Sequence, residues 1–131
     1  MNKLKLLLVS VVLLNACNNV AEKTFTPPAS TLAPSPAGGW VGRWVGVEGL
    51  HLTVEKEEAA GEGHYLLTMQ YGVDASDSGT FHGKATDKGI VFTRPDGEHL
   101  LRAGNGEATG LKWLADKQNC LLVQPGEGYC R

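Results

Sequence analysis

Leu50, Leu52 and Val54 alternate with His51, Thr53 and Glu55, and Tyr65, Leu67, Met69 and Tyr71 alternate with His64, Thr68 and Gln70. Only Leu66 interrupts the polar side of the second run. A period of two means strands that bury one face and leave the other to solvent. Short runs of similar character follow at residues 80–85, 90–94, 98–103, 110–115 and 119–124. Between them stand Asp87-Lys88-Gly89, Pro95-Asp96-Gly97, Asn105-Gly106 and Pro125-Gly126. Glycine and asparagine supply the positive φ that tight hairpin turns need. Turn signals recurring about every 8–12 residues predict an all-β fold. No apolar stripe of period 3.6 competes with it, and residues 54–60 read as the charged end of a strand and its loop. Successive hairpins form an up-and-down antiparallel meander, and closure into a β-barrel of about eight strands removes its exposed edges.

The barrel pattern occupies residues 40–131, and two different segments precede it. Residues 1–16 carry Lys3 and Lys5, then an apolar core from Leu6 to Leu14. This is the build of a secretory leader, and the run is roughly half the ~20 residues of a spanning helix. It ends in Leu13-Leu14-Asn15-Ala16-Cys17, which resembles the signal peptide and lipobox of bacterial lipoproteins. The resemblance implies that Cys17 becomes the first mature residue and is lipidated with acyl chains such as palmitate. Several chains on one cysteine make a stable lipid anchor, at ~0.8 kcal/mol per buried CH₂. Asn18 after the cysteine implies transfer to the outer membrane, with the periplasmic or surface face left open. Residues 17–39 hold Pro27, Pro28, Pro34 and Pro36 among Ser, Thr and Ala. They read as a disordered, semi-extended tether that spaces a domain from the bilayer.

The chain has three cysteines. Lipidation of Cys17 leaves Cys120 and Cys130, and an oxidising compartment lets them form a disulfide bond. There is no Cys-x-x-Cys motif to suggest thiol redox chemistry. The chain carries 12 basic and 14 acidic residues. Loss of residues 1–16 removes Lys3 and Lys5 and no acid, so the net charge of −2 becomes −4. A mildly acidic product does not suit nucleic acid and favours a cationic partner.

At the start of the barrel pattern, Gly42-Arg43-Trp44 matches the Gly-x-Trp that opens the first strand in lipocalins. In that family the Trp plugs one end of the barrel and an Arg from the last strand packs over it. The lipocalin-like resemblance therefore implies that Trp44 and Arg131 form a barrel plug. The chain is far shorter than a typical lipocalin. A barrel this small fills its interior with side chains, and a shallow site at its mouth is still available.

Asp74, Ser76, Ser78 and Gly79 fall at positions 1, 3, 5 and 6 of a calcium-loop spacing, but position 12 is Ala85 in place of an acid. They read as a polar connection, with Asp74, Asp77 and Asp96 as turn formers. His51, His64, His82 and His99 include no zincin spacing. His51 and Glu55 share a strand face, yet the four histidines are expected on the polar side, and neither a metal nor a cofactor is expected. There is no Gly-x-Ser-x-Gly, and the two remaining cysteines are expected to be paired, so no catalytic residues are assigned and the chain is read as a non-enzyme. Ser78-Gly79-Thr80-Phe81 more weakly resembles the Ser-Gly-x-x-Tyr element of membrane-bound inhibitors of c-type lysozyme, with His82 in the place of the Tyr. Those inhibitors are small exported β-barrels, often lipid-anchored, with a disulfide in the C-terminal region. The resemblance implies that Ser78 enters a lysozyme cleft.

The expectation is an outer-membrane lipoprotein displaying a small non-catalytic binding protein module to an envelope or host partner. Asp74, Ser76, Asp77 and Ser78 form its foremost candidate contact loop, with residues 57–63 as a second, since loops carry function on rigid scaffolds. The alternatives are a lysozyme inhibitor, a small-ligand carrier and an enzyme. A binding module predicts exposed apolar or aromatic side chains. A carrier predicts an apolar internal cavity of ~300 Å³ or more. An enzyme predicts converging His and carboxylate groups with shifted pKa values.

Overall fold

A computed structural model describes residues 36–131. The leader, Cys17 and the tether up to residue 35 lie outside the described residues. Eight antiparallel strands form a closed barrel in sequence order: β1 (Gly42–Val45), β2 (His51–Lys56), β3 (His64–Gln70), β4 (Ser78–Ala85), β5 (Ile90–Arg94), β6 (Gly97–Gly104), β7 (Cys120–Gln124) and β8 (Glu127–Cys130). Closure rests on one registered pair between the first and last strands, Val45 opposite Cys130. Pro36–Trp40 forms a 3-10 turn ahead of β1, with Ala37 and Trp40 buried. The folded part therefore takes in residues 36–39, the last of the expected tether.

The alternation places the core where period two requires. Leu52 and Val54 of β2, and Tyr65, Leu67 and Met69 of β3, are buried with Trp44, Ile90, Phe92, Leu101, Leu121 and Tyr129. Each interior leucine or isoleucine contributes about 1.5–3 kcal/mol through removal from water. Packing is tight along β4, where a Cβ on Gly83 would collide with a methyl of Ile90.

Residues 110–115, expected as a strand, are not one. Residues 105–119 instead contain two 3-10 turns, Glu107–Thr109 and Lys112–Leu114. The Asn105 side-chain carbonyl accepts from the N–H of Ala108, and the Thr109 hydroxyl accepts from the N–H of Leu111. These local bonds compete with strand pairing. Gly106 is not a positive-φ hairpin residue: its φ is −63°. It is needed for close approach, since a Cβ there would collide with the carbonyl of Leu114. The eighth strand is Glu127–Cys130.

The segment 105–119 lies over a small second core of Leu114, Cys120 and Cys130, with Val47 and Leu111 packed against it. Cys120 and Cys130 stand opposite one another in the β7–β8 ladder and form the expected disulfide. With a sequence separation of 10, the bridge contributes about 3 kcal/mol by the chain-entropy estimate. Replacing both cysteines by alanine should lower the urea midpoint by that much stability while leaving the m-value nearly unchanged.

Candidate functional site

The barrel has two unlike ends. One carries the Pro36–Trp40 turn, the β2–β3 turn and the C-terminus. Here Trp44 is 1% exposed, and its indole N–H donates to the Trp40 carbonyl at 2.8 Å. The Arg131 guanidinium lies 3.9 Å from the centre of the Trp44 ring. It also donates to the carbonyls of Val41 and Gly39. The structure thus brings Trp44 and Arg131 together at this end of the barrel. The 57–63 loop is at this end, beside a cleft of about 460 Å³ bordered by Glu57, Glu58, Glu62 and His64.

The other end is the mouth, where the β3–β4 loop lies above the β5–β6 and β7–β8 turns. Asp74, Ser76 and Ser78 are exposed and Asp77 is half-buried. The loop is tied to itself. The Gln70 amide donates to the carbonyls of Gly72 and Asp74, Ser78 donates to the Ala75 carbonyl, and the Asp77 N–H donates to the Asp74 carbonyl. Among the described residues no group of three or more His, Cys, Asp or Glu is placed to hold a metal.

Beneath that loop is a polar cluster that the sequence reading did not assemble. Arg94 follows Ile90 and Phe92 on the inward face of β5, and its side chain is 1% exposed. It donates to both carboxylate oxygens of Glu127, at 2.6 and 3.0 Å, and to both of Asp96, at 3.1 and 3.0 Å. Glu127 also accepts from the Tyr129 hydroxyl at 2.8 Å and from the Gln124 amide at 3.2 Å. The Tyr71 ring lies over the guanidinium, 4.1 Å from centroid to Cζ. His99 joins the group through Asp96 at 3.0 Å, with its side chain 12% exposed. This corrects the expectation of four outward histidines: His99 is turned inward, its ring 5.6 Å from that of Phe92. His82 is outside, paired with Glu57 at 2.9 Å. His51 is held to the Gly49 carbonyl, so no His51–Glu55 site is assembled.

The electrostatics follow from this mutual pairing. Burial opposes the charge on Arg94, but hydrogen bonds and charge attraction from Glu127 and Asp96 outweigh it and hold its pKa above the ordinary value. Hydrogen bonds from Arg94 hold the Asp96 carboxyl below the ordinary 3.8. That small stabilising contribution is therefore complete above pH 3.8 and is lost as pH falls through the depressed value. Burial, reinforced by the charge of Glu127, pushes the Tyr129 phenol well above its ordinary 10.0. The neutral phenol favours the folded state, so this stabilisation is full below pH 10 and decreases above it. In an alkaline titration followed at 295 nm, Tyr129 should ionise only with the unfolding transition. Tyr129→Phe should remove that phenolate from the unfolding step.

Converging titratable groups are thus present, the feature expected of an enzyme. They are, however, partnered with one another, and no buried side-chain polar atom lacks a hydrogen-bond partner among the described residues. One signal for the cluster was in the sequence: on the alternation of Ile90–Arg94, Arg94 shares a face with Ile90 and Phe92, and a buried cation demands a buried carboxylate. The other feature missed is Trp113. It lies on the Lys112–Leu114 turn and is 78% exposed, next to Leu114, which anchors the turn in the second core. Val73, in the mouth loop, is 73% exposed. Compared with known protein families, with curated proteins and with solved structures, the chain matches none.

Proposed function

We propose that the chain is a lipoprotein anchored in the outer membrane through Cys17, and that its barrel is a non-catalytic module binding a protein partner of the envelope or the host. The observation that carries the binding role is Trp113. A large aromatic side chain held out on a short turn, with the turn itself pinned by Leu114 and the disulfide, has the make-up of an interface anchor. Two further points support the reading. Arg94 and Glu127, beneath the mouth loop, are bonded to each other and to Asp96 and Tyr129, which suits a structural role better than that of an acid, base or nucleophile. The barrel interior is filled by Trp44, Tyr129, Phe92 and the aliphatic residues around them, which suits a small carrier poorly.

Photo-cross-linking in cells tests the binding role. A photoreactive amino acid in place of Trp113 should give a discrete adduct, and the same residue at exposed Glu98 should not. Equal labelling from both positions, or none from 113, contradicts the proposal. The anchor is tested by the mass of the processed protein and by Cys17→Ser, which should release the chain from the membrane fraction.

A second reading is inhibition of c-type lysozyme. It is favoured by the exposed position of Ser78 at the mouth end of an eight-stranded barrel with a disulfide near its C-terminus. Inhibition of lysozyme at micromolar protein, reduced by Ser78→Ala, supports it. No inhibition at that concentration removes it.

A further inference from the structure

The barrel wall opens on one side. β4 pairs with β3 along seven positions, His64 opposite Lys84 through Gln70 opposite Ser78. Its pairing with β5 covers only Gly83, Lys84 and Ala85, opposite Phe92, Val91 and Ile90. His82 and Thr93 would be the next pair, and there the ladder stops. A cleft of about 400 Å³ occupies the gap, with the rings of Phe81 and Phe92 at its floor and Thr93 on its far side. Phe81 is half-buried and Thr93 exposed.

The backbone at this gap has a defined polarity. The Ala85 N–H donates to the Gly63 carbonyl at 2.7 Å, and the Tyr71 N–H to the Asp77 carbonyl at 2.8 Å. These bonds bracket the β3–β4 ladder. Antiparallel alternation then directs the N–H and C=O of Gly79, Phe81 and Gly83 toward β3. Those of Ser78 and Thr80, with the N–H of His82, point the other way, into the gap, and no β5 residue is registered opposite these three positions. The gap is a short open strand edge beside an apolar floor, inside an otherwise closed barrel.

Its charge selects among occupants. His64, His82 and Lys84 border the cleft and no acidic residue does. His82 is engaged by Glu57, whereas Lys84 forms no ion pair among the described residues. We propose that this edge is a docking groove for an extended, acidic segment of a partner protein, which adds to β4 as a strand. Its backbone bonds to Ser78, Thr80 and His82, one apolar side chain covers Phe81 and Phe92, and a carboxylate meets Lys84. Main-chain bonds supply affinity in such strand addition, and alternate side chains supply choice of partner. The groove is separate from the Trp113 turn and does not depend on it.

Amide hydrogen exchange of the full chain, followed by NMR, tests this with a blocked heptapeptide of alternating threonine and valine ending in two glutamates. Exchange at Thr80 and His82 should slow by about tenfold or more at saturating peptide, while Phe81, already bonded to β3, is unchanged. A proline at the centre of the peptide should abolish the effect, and lysines in place of its glutamates should weaken it. Thr80→Pro removes the N–H that faces the gap, together with the side-chain bond to Thr68, leaves the β3–β4 backbone bonds in place and should eliminate binding. Lys84→Glu, on the exposed rim, should reverse the preference between the acidic and basic peptides, so the test does not depend on the proline variant folding. The proposal is overturned by unchanged exchange at Thr80 and His82, or by equal action of the proline-containing peptide. It is also overturned by slowing that needs no peptide and grows with protein concentration, which would mean that a second copy occupies the edge.

Discussion

Glu127→Ala should destabilise the barrel by about 3–5 kcal/mol, the usual result of removing one member of a buried ion pair. The variant leaves the Arg94 guanidinium 1% exposed, with Asp96 as its remaining carboxylate, and that side chain is itself 46% exposed. It also removes the acceptor of the Tyr129 hydroxyl, a second buried donor. For a domain of this size the expected loss corresponds to a fall in Tm of roughly 15–30 °C. Arg94→Leu should have a similar effect, because it leaves Glu127 charged and buried with only the tyrosine and glutamine as donors. The double variant Arg94→Leu/Glu127→Leu should be more stable than either single variant. Charge burial is then removed along with charge pairing, so the cycle gives a large favourable coupling. Additive losses would mean that the two side chains act independently and that the mouth is not held by their pairing.

Trp44→Ala should cost about 3–5 kcal/mol as well, for a different reason. Trp44 is the largest of the fully buried side chains, and its loss leaves a cavity at the end of the barrel opposite the ion pair. The Arg131 guanidinium loses the ring beneath it, and the Trp40 carbonyl loses its donor. Trp44→Phe keeps most of the packing and a ring face while removing the N–H. It should cost less, with about 1 kcal/mol assigned to the hydrogen bond. Urea unfolding of both variants beside Arg131→Met separates the contributions. Equal losses in Trp44→Ala and Trp44→Phe would show that the hydrogen bond, and not the filling of the barrel end, dominates.

The two ends differed in how far the sequence disclosed them. Strands with one apolar face were legible because burial writes itself into alternate positions, as in Leu52-Thr53-Val54 and Tyr65 to Met69. Trp44 and Arg131 were legible through a short motif and a terminal position, and Cys120 and Cys130 through elimination of Cys17. Residues 110–115 misled because Leu111 and Trp113 imitate strand alternation. The contact that bends this segment, Gly106 against the Leu114 carbonyl, joins residues eight apart and has no local signature. β8 was missed because an inward glutamate followed by glycine lacks an apolar pattern. Its inward Glu127 makes sense only with Arg94, 33 residues earlier. The Asp74 to Ser78 loop was correctly seen as polar, but it is closed on itself by its backbone carbonyls, which accept from Gln70, from Ser78 and from the Asp77 N–H. The opening beside β4 was not legible either, because strand pairing that stops after three residues depends on barrel geometry.

The central claim is that a rigid barrel presents its outer surface, and Trp113 in particular, to a protein partner. Affinity capture from envelope with the wild-type chain, alongside Trp113→Ala of equal thermal stability, tests it most directly. The account predicts that one partner is retained by the wild type and depleted at least tenfold by the substitution, equivalent to about 1.4 kcal/mol or more. The same partner captured equally by both proteins would contradict it.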